Sequence, residues 1–238
     1  ATVLSGSDLW VTVDAAVSND LFYFEHNPLQ LDNLAIEGPD GKAITPENVA
    51  KSHFRSSFDF KLAQPGTYKL TVANQGLFAS YKVDGQNKRW RGKPAELASA
   101  IPANATDVKV TESRGRIESF VTSGKPSVET LKPTGVGLEM VPVTHPNNLV
   151  AGEKATFRLM LDGQPAKGVA VEIVPGGIRY RDALNDTKAT ADDTGTFSVT
   201  WPAPGFYWMS ASVRDDKSKI KNAQRRSSYA VTVEVLPQ

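Results

Sequence analysis

Short alternating apolar runs, each cut off by a glycine or proline turn, constrain this chain more than any other feature. Leu9-Trp10-Val11-Thr12-Val13, Phe58-Asp59-Phe60-Lys61-Leu62 and Tyr68-Lys69-Leu70-Thr71-Val72 alternate or run with β-branched and aromatic residues, as half-buried strands do. Pro39-Asp40-Gly41, Gln64-Pro65-Gly66 and Val83-Asp84-Gly85 lie between such runs. Asp-Gly suits a tight hairpin because glycine accepts the positive φ that the turn requires. The close spacing of runs and turns favours a β-sandwich over an α/β fold.

The second half repeats this grammar. Ala155 to Leu161 reads as a strand, Asp162-Gly163-Gln164-Pro165 turns the chain, and Val169 to Val174 returns it. Asp192-Asp193-Thr194-Gly195 then leads into Thr196 to Trp201, Pro204-Gly205 into Phe206 to Val213, and Tyr229 to Val235 closes the chain. An echo links the halves: Gln64-Pro65-Gly66-Thr67-Tyr68 resembles Ala203-Pro204-Gly205-Phe206-Tyr207, a proline-glycine corner feeding an aromatic-led strand. In the first half, Pro94 to Ala100 predicts a short helix with proline in its first turn. Asp107 to Thr111 and Arg116 to Val121 are expected as two paired strands. The expectation is an all-β protein of two tandem β-sandwiches, residues 1–124 and 138–238, the second immunoglobulin-like, with 125–137 as a Ser-, Thr-, Gly- and Pro-rich linker.

At 238 residues, 40% of them hydrophobic, the chain can bury two cores without metals or disulfides. It has no cysteine, which excludes disulfides, thiolate metal sites and cysteine nucleophiles. A net charge of +1 steers it towards neither nucleic acid nor anionic membrane, so no nucleic-acid partner is expected. No apolar run approaches the roughly 20 residues of a membrane span. The sequence opens Ala1-Thr2-Val3-Leu4, the start expected of a secreted protein whose signal peptide has been removed.

Leu138-Glu139-Met140-Val141-Pro142-Val143-Thr144-His145-Pro146-Asn147-Asn148-Leu149 is the most particular string in the chain. With Trp10 to Ala16, Gly76 to Tyr81 and Lys88-Arg89-Trp90-Arg91-Gly92, it resembles the DUF4198 family over nearly the whole length. That resemblance implies an exported protein of the Gram-negative periplasm. Some relatives carry names suggesting a periplasmic component of cobalt or nickel uptake. Family members often begin with a His-containing stretch, which this sequence lacks.

Three regions hold ligand-capable side chains. Asp20, Glu25, His26 and Asp32 lie close in sequence, with Tyr23 beside them, and Glu25 and His26 are the expected metal ligands, for nickel, cobalt, copper or iron. The competing reading is a polar loop with a histidine hydrogen-bonded in a turn, since no His-x-His or His-x-x-x-His spacing occurs. Lys88, Arg89, Trp90 and Arg91, with Arg179-Tyr180-Arg181, offer guanidinium and aromatic faces to a small anion or an anionic metal chelate. His145 is either a ligand or a residue that satisfies backbone groups at a domain corner. No Gly-x-Ser-x-Gly, His-Glu-x-x-His, P-loop or dinucleotide fingerprint occurs. The sequence therefore points to a non-enzymatic periplasmic binding or accessory protein for a metal or its chelate, with a module docking onto a membrane transporter or receptor as the alternative.

Overall fold

A computed structural model describes residues 3–238, so the expectation about the start of the chain, which rests on Ala1 and Thr2, lies partly outside them. The protein is all β apart from short helical turns. In the first half the main strands are β1 (Trp10–Val17), β2 (Leu34–Glu37), β3 (Glu47–Lys51), β4 (Ser56–Lys61), β5 (Gly66–Val83), β6 (Gln86–Gly92) and β7 (Thr106–Ser123). The expected helix is a 3-10 turn, Pro94–Glu96, running into α1 (Leu97–Ala100). The second half holds β8 (Leu138–Pro142), β9 (Lys154–Leu161), β10 (Ala170–Pro175), β11 (Thr187–Thr190), β12 (Thr196–Thr200), β13 (Gly205–Asp215) and β14 (Ala223–Leu236).

Among the described residues an 11-stranded sheet runs through both halves, in the order β11-β10-β13-β14-β7-β5-β2 with β6 beside β5. Its centre is a parallel pairing of β7 with β14, from Val110↔Ala223 to Glu118↔Val231. Two small layers pack on it. β1, β3 and β4 pair with one another over its first-half end, and β8, β9 and β12 over its second-half end. The layers lie on opposite faces. Neighbouring side chains on a strand point opposite ways, and Val121 joins the core of Phe58, Phe60 and Tyr68 while Phe120 joins that of Phe157, Met209 and Val231.

The two runs expected to pair with each other, Asp107 to Thr111 and Arg116 to Val121, form a single strand. Gly115 between them has no positive φ and supplies no turn; it continues the ladder between Asn74 and Ser228. The hairpin turns were legible: Asp84 and Gly85 have φ of 50° and 77°, and Asp162 and Gly163 of 49° and 77°. After Pro165 the chain leaves β9, and β10 joins the large sheet beside β13.

The echo between the halves is geometric as well. The Tyr68 hydroxyl donates to the Gln64 carbonyl at 2.7 Å and accepts from the Gln64 N–H at 3.0 Å. The Tyr207 hydroxyl donates to the Ala203 carbonyl at 2.8 Å. Each ties its strand to the residue four positions back, in the manner of a tyrosine corner. Segment 125–137 is docked: Ser127 and Thr67 exchange two hydrogen bonds, at 2.9 and 3.0 Å, and Thr130 donates to the Thr67 carbonyl at 3.1 Å.

Candidate functional site

The staggered layers leave one face of the shared sheet only partly covered. β1 and β4 end over β5 and β7, and the same face continues uncovered across β14 and β13. Where the cover stops, the sheet and the layer diverge around a cavity of about 530 Å³. Leu34, Leu70 and Phe58 from the first half line it, together with Phe206, Trp208 and Ala230 from the second. A groove of about 650 Å³ adjoins it, sharing Ile117, Trp208 and Ala230. Gly115, Ser210, Ser212 and Ser228 form its floor, side chains too short to fill the space above the sheet. Arg116, Glu172, Lys188 and Arg226 give it charge.

Residues 18–26 lean over the apolar cavity. The Ser18 hydroxyl donates to the Tyr23 carbonyl, and the Asp20 N–H donates to Glu25 Oε1 at 2.9 Å. Phe22, which lines the cavity, has φ of 70°, a costly conformation for a bulky side chain. From the second half, Arg179 reaches this loop. Its guanidinium hydrogen-bonds the Glu25 carboxylate, lies 3.6 Å from Asp20 Oδ2 and sits 3.8 Å above the Tyr23 ring centroid. Arg181 organises the loop behind it through the carbonyls of Pro175, Gly176, Ala183 and Leu184, at 2.5–2.9 Å. The halves are thus clasped across the mouth of the cavity.

Of the residues singled out from the sequence, Tyr23 and Glu25 come together here with Arg179. His26 is exposed on the same loop, and among the described residues no three His, Cys, Asp or Glu side chains gather as a metal would need. The partner that the structure gives Glu25 is an arginine.

Lys88, Arg89, Trp90 and Arg91 lie on β6. Trp90 pairs opposite Ala79, roughly 23 Å along β5 from the cavity wall at Val72. Alternation splits the group, Lys88 and Trp90 on one face, Arg89 and Arg91 on the other, with Arg91 5.2 Å from the Phe78 ring.

His145 stands at the junction of the halves, away from the cavity lining. Its Nδ1 accepts from the Asn147 N–H at 3.1 Å, which leaves the ring proton on Nε2. Nε2 lies 3.1 Å from the Ser127 carbonyl and 3.0 Å from Thr67 Oγ1. Burial lowers its pKa, opposed by the Ser127 carbonyl. Both nitrogens are used within the protein.

The other face of β7 carries a buried charge network. Tyr229 donates to Glu118 at 2.8 Å, Arg116 lies 3.3 Å from Glu118 and 3.7 Å from Glu139, and Glu139 accepts three bonds from Thr134 and Gly135. Burial pushes the Glu118 carboxyl up despite these donors, and burial with the Glu118 charge pushes the Tyr229 phenol well up. Next to it, Arg225 is bidentate to Asp215 at 2.9 and 2.5 Å and bonds Asp162 at 2.6 Å. The Arg225 hydrogen bond holds Asp215 low. For Asp162 burial acts the other way, and the Arg225 and Gly137 donors overcome it.

The apolar lining was not foreseen. Leu34, Leu70, Ile117 and Trp208 each read as ordinary core positions, and only the mismatch between layer and sheet turns them into a cavity wall.

Fold and cleft together define an immunoglobulin-like β-sandwich protein with a cleft where its halves meet. The chain belongs to the family described as Domain of unknown function (DUF4198), whose profile matches residues 1–215. No curated protein matches it. Solved structures similar to it include the D0-D1 domain of intimin, at 12% identity and TM-score 0.25 over 99% of this chain and 94% of that one. A DUF3823 family protein from Bacteroides uniformis gives 11% and 0.27 over 95% and 99%. Fibronectin(III)-like modules of Clostridium thermocellum CbhA give 13% and 0.22 over 99% and 89%. Among the described residues no helix is long and apolar enough to cross a membrane.

Proposed function

We propose that the protein is a non-enzymatic binding protein that holds a small, partly apolar molecule in the cleft between its halves, as an exported accessory component of uptake. The observation that carries this reading is the cavity of about 530 Å³ lined by apolar side chains from both halves. Its size lies within the range of small-molecule sites, and an unfilled apolar cavity forfeits packing that a ligand restores. Strain at Phe22 and the Arg179 clasp both sit at its mouth, where a binding loop must yield.

The test is uptake of the neutral fluorophore N-phenyl-naphthylamine. Native protein is expected to enhance its emission saturably. Ala230→Trp, which puts an indole into the cavity from a site between Ile117 and Ser210, is expected to abolish the enhancement with the fold intact by circular dichroism. No enhancement with native protein overturns the reading. Uptake of a metal or its chelate is a finer version. Heat on titration with nickel, cobalt, copper or zinc salts or a ferric chelate supports it, and no heat and no thermal shift with any of them removes it.

A further inference from the structure

Arg214 on β13 and Arg226 on β14 stand directly opposite each other on the open face of the shared sheet. Like charges directly opposite across a ladder repel, so folding alone gives no reason for the pair. Both side chains are exposed, and among the described residues neither has a hydrogen bond, an ion pair or a ring contact. Ser113 completes the row on the β7 side and offers no acid. Arg226 lines the charged groove together with Arg116, Glu172 and Lys188; Glu172 and Lys188 face each other in register and offset one another, and Arg116 is paired with Glu118 and Glu139. The uncompensated charge of the groove is therefore at its arginine end.

That end lies in line with the apolar cavity. Along β14 the same face presents Arg226, Ser228, Ala230 and Thr232, alternate residues of one strand. Arg226 lines the groove, Ala230 lines both spaces and Thr232 lines the cavity. From Arg226 to Thr232 is roughly 20 Å at about 3.3 Å per residue. A molecule that satisfies both ends has an anionic head and a long apolar body.

We propose that the cleft takes a single-chain anionic amphiphile, its chain in the apolar cavity and its head group between Arg214 and Arg226. This rests on the reading of the cavity as a binding site and names the chemistry of what enters it. Two guanidinium forks on neighbouring strands match a carboxylate, sulfate or phosphate head, and the short side chains of Gly115, Ser212 and Ser228 leave room for the body to pass along the sheet.

Calorimetry with three probes of equal chain length tests it: dodecanoate, dodecanol and dodecyltrimethylammonium, all below their aggregation concentrations. Dodecanoate is expected to bind most tightly and dodecyltrimethylammonium least. Arg226→Gln and Arg214→Gln are each expected to weaken dodecanoate by about tenfold and to leave dodecanol within about twofold. Both positions are exposed, so a melting curve matching native protein confirms the fold. Equal affinity for the three probes, or a loss of dodecanol that parallels the loss of dodecanoate, overturns the proposed head-group site and leaves the cavity as a site for uncharged molecules. Failure of all three to bind, with no fluorophore uptake, overturns the binding reading beneath it.

Discussion

Arg225 and Arg226 are neighbours in sequence with opposite circumstances. Arg225 points into the protein, its side chain only 4% exposed, and grips two carboxylates. Arg226 points to the open face and meets another arginine. The alternation of one strand sends them to different sides of the sheet, and the two sides treat charge differently. On the covered side each charge has partners, because an unpaired ion there is costly. On the open side water tolerates the repulsion, and the charge stays available.

The largest break in this comparison is expected from Arg225→Met. It strands Asp162 and Asp215, and since both carboxylates retain some exposure it costs about 3 kcal/mol, read as a lowered urea midpoint at unchanged slope. A loss under about 1 kcal/mol would mean that water serves the two acids as well as the arginine does. Tyr229→Phe comes next, at about 2 kcal/mol. The hydroxyl it removes is fully enclosed and donates to a buried carboxyl.

His145 adds a dependence on pH. Its pKa is lowered on folding, so the unfolded chain binds a proton more readily. The associated stability is present above the unfolded value of 6.5 and is lost as pH falls through the folded one. Denaturation midpoints are expected to decline from about pH 7 towards about pH 5, and His145→Gln to flatten that stretch of the profile. The smallest effect belongs to Arg226→Gln, within about 0.5 kcal/mol of native protein and on the side of stabilisation, because it relieves the Arg214 contact. A loss as large as that of Arg225→Met would make the two arginines equivalent and remove the contrast.

The strands and their turns were legible because each depends on residues adjacent in sequence. Asp84-Gly85 and Asp162-Gly163 announce their positive φ values, and the two Pro-Gly-x-Tyr corners announce each other. The break expected between Asp107–Thr111 and Arg116–Val121 is absent, because partners on β5 and β14 hold Gly115 in the ladder. The cleft was hidden for a related reason. Leu34, Leu70, Ile117, Phe206 and Ala230 come from five strands, and nothing local distinguishes a wall residue from a core residue. Tyr23 and Glu25 were visible as ligand-capable, but their partner, Arg179, stands more than a hundred positions away. Salt pairs of that separation leave no periodic trace.

The pairing of β7 with β14 also sets an order of events during synthesis. Val110 and Ala223 are register partners more than a hundred residues apart, so β14 is made long after β7. At about 5–20 residues per second, β7 waits roughly 5–20 s for its neighbour. Closing so long a loop costs little more entropy than closing a shorter one, but it cannot begin until β14 emerges. Through that interval the nascent first half presents an unpaired strand edge, complementary to β14 of any other copy within reach. Crowded ribosomes would therefore favour exchange of β14 between chains, and that one strand holds the decision between a monomer and a swapped pair.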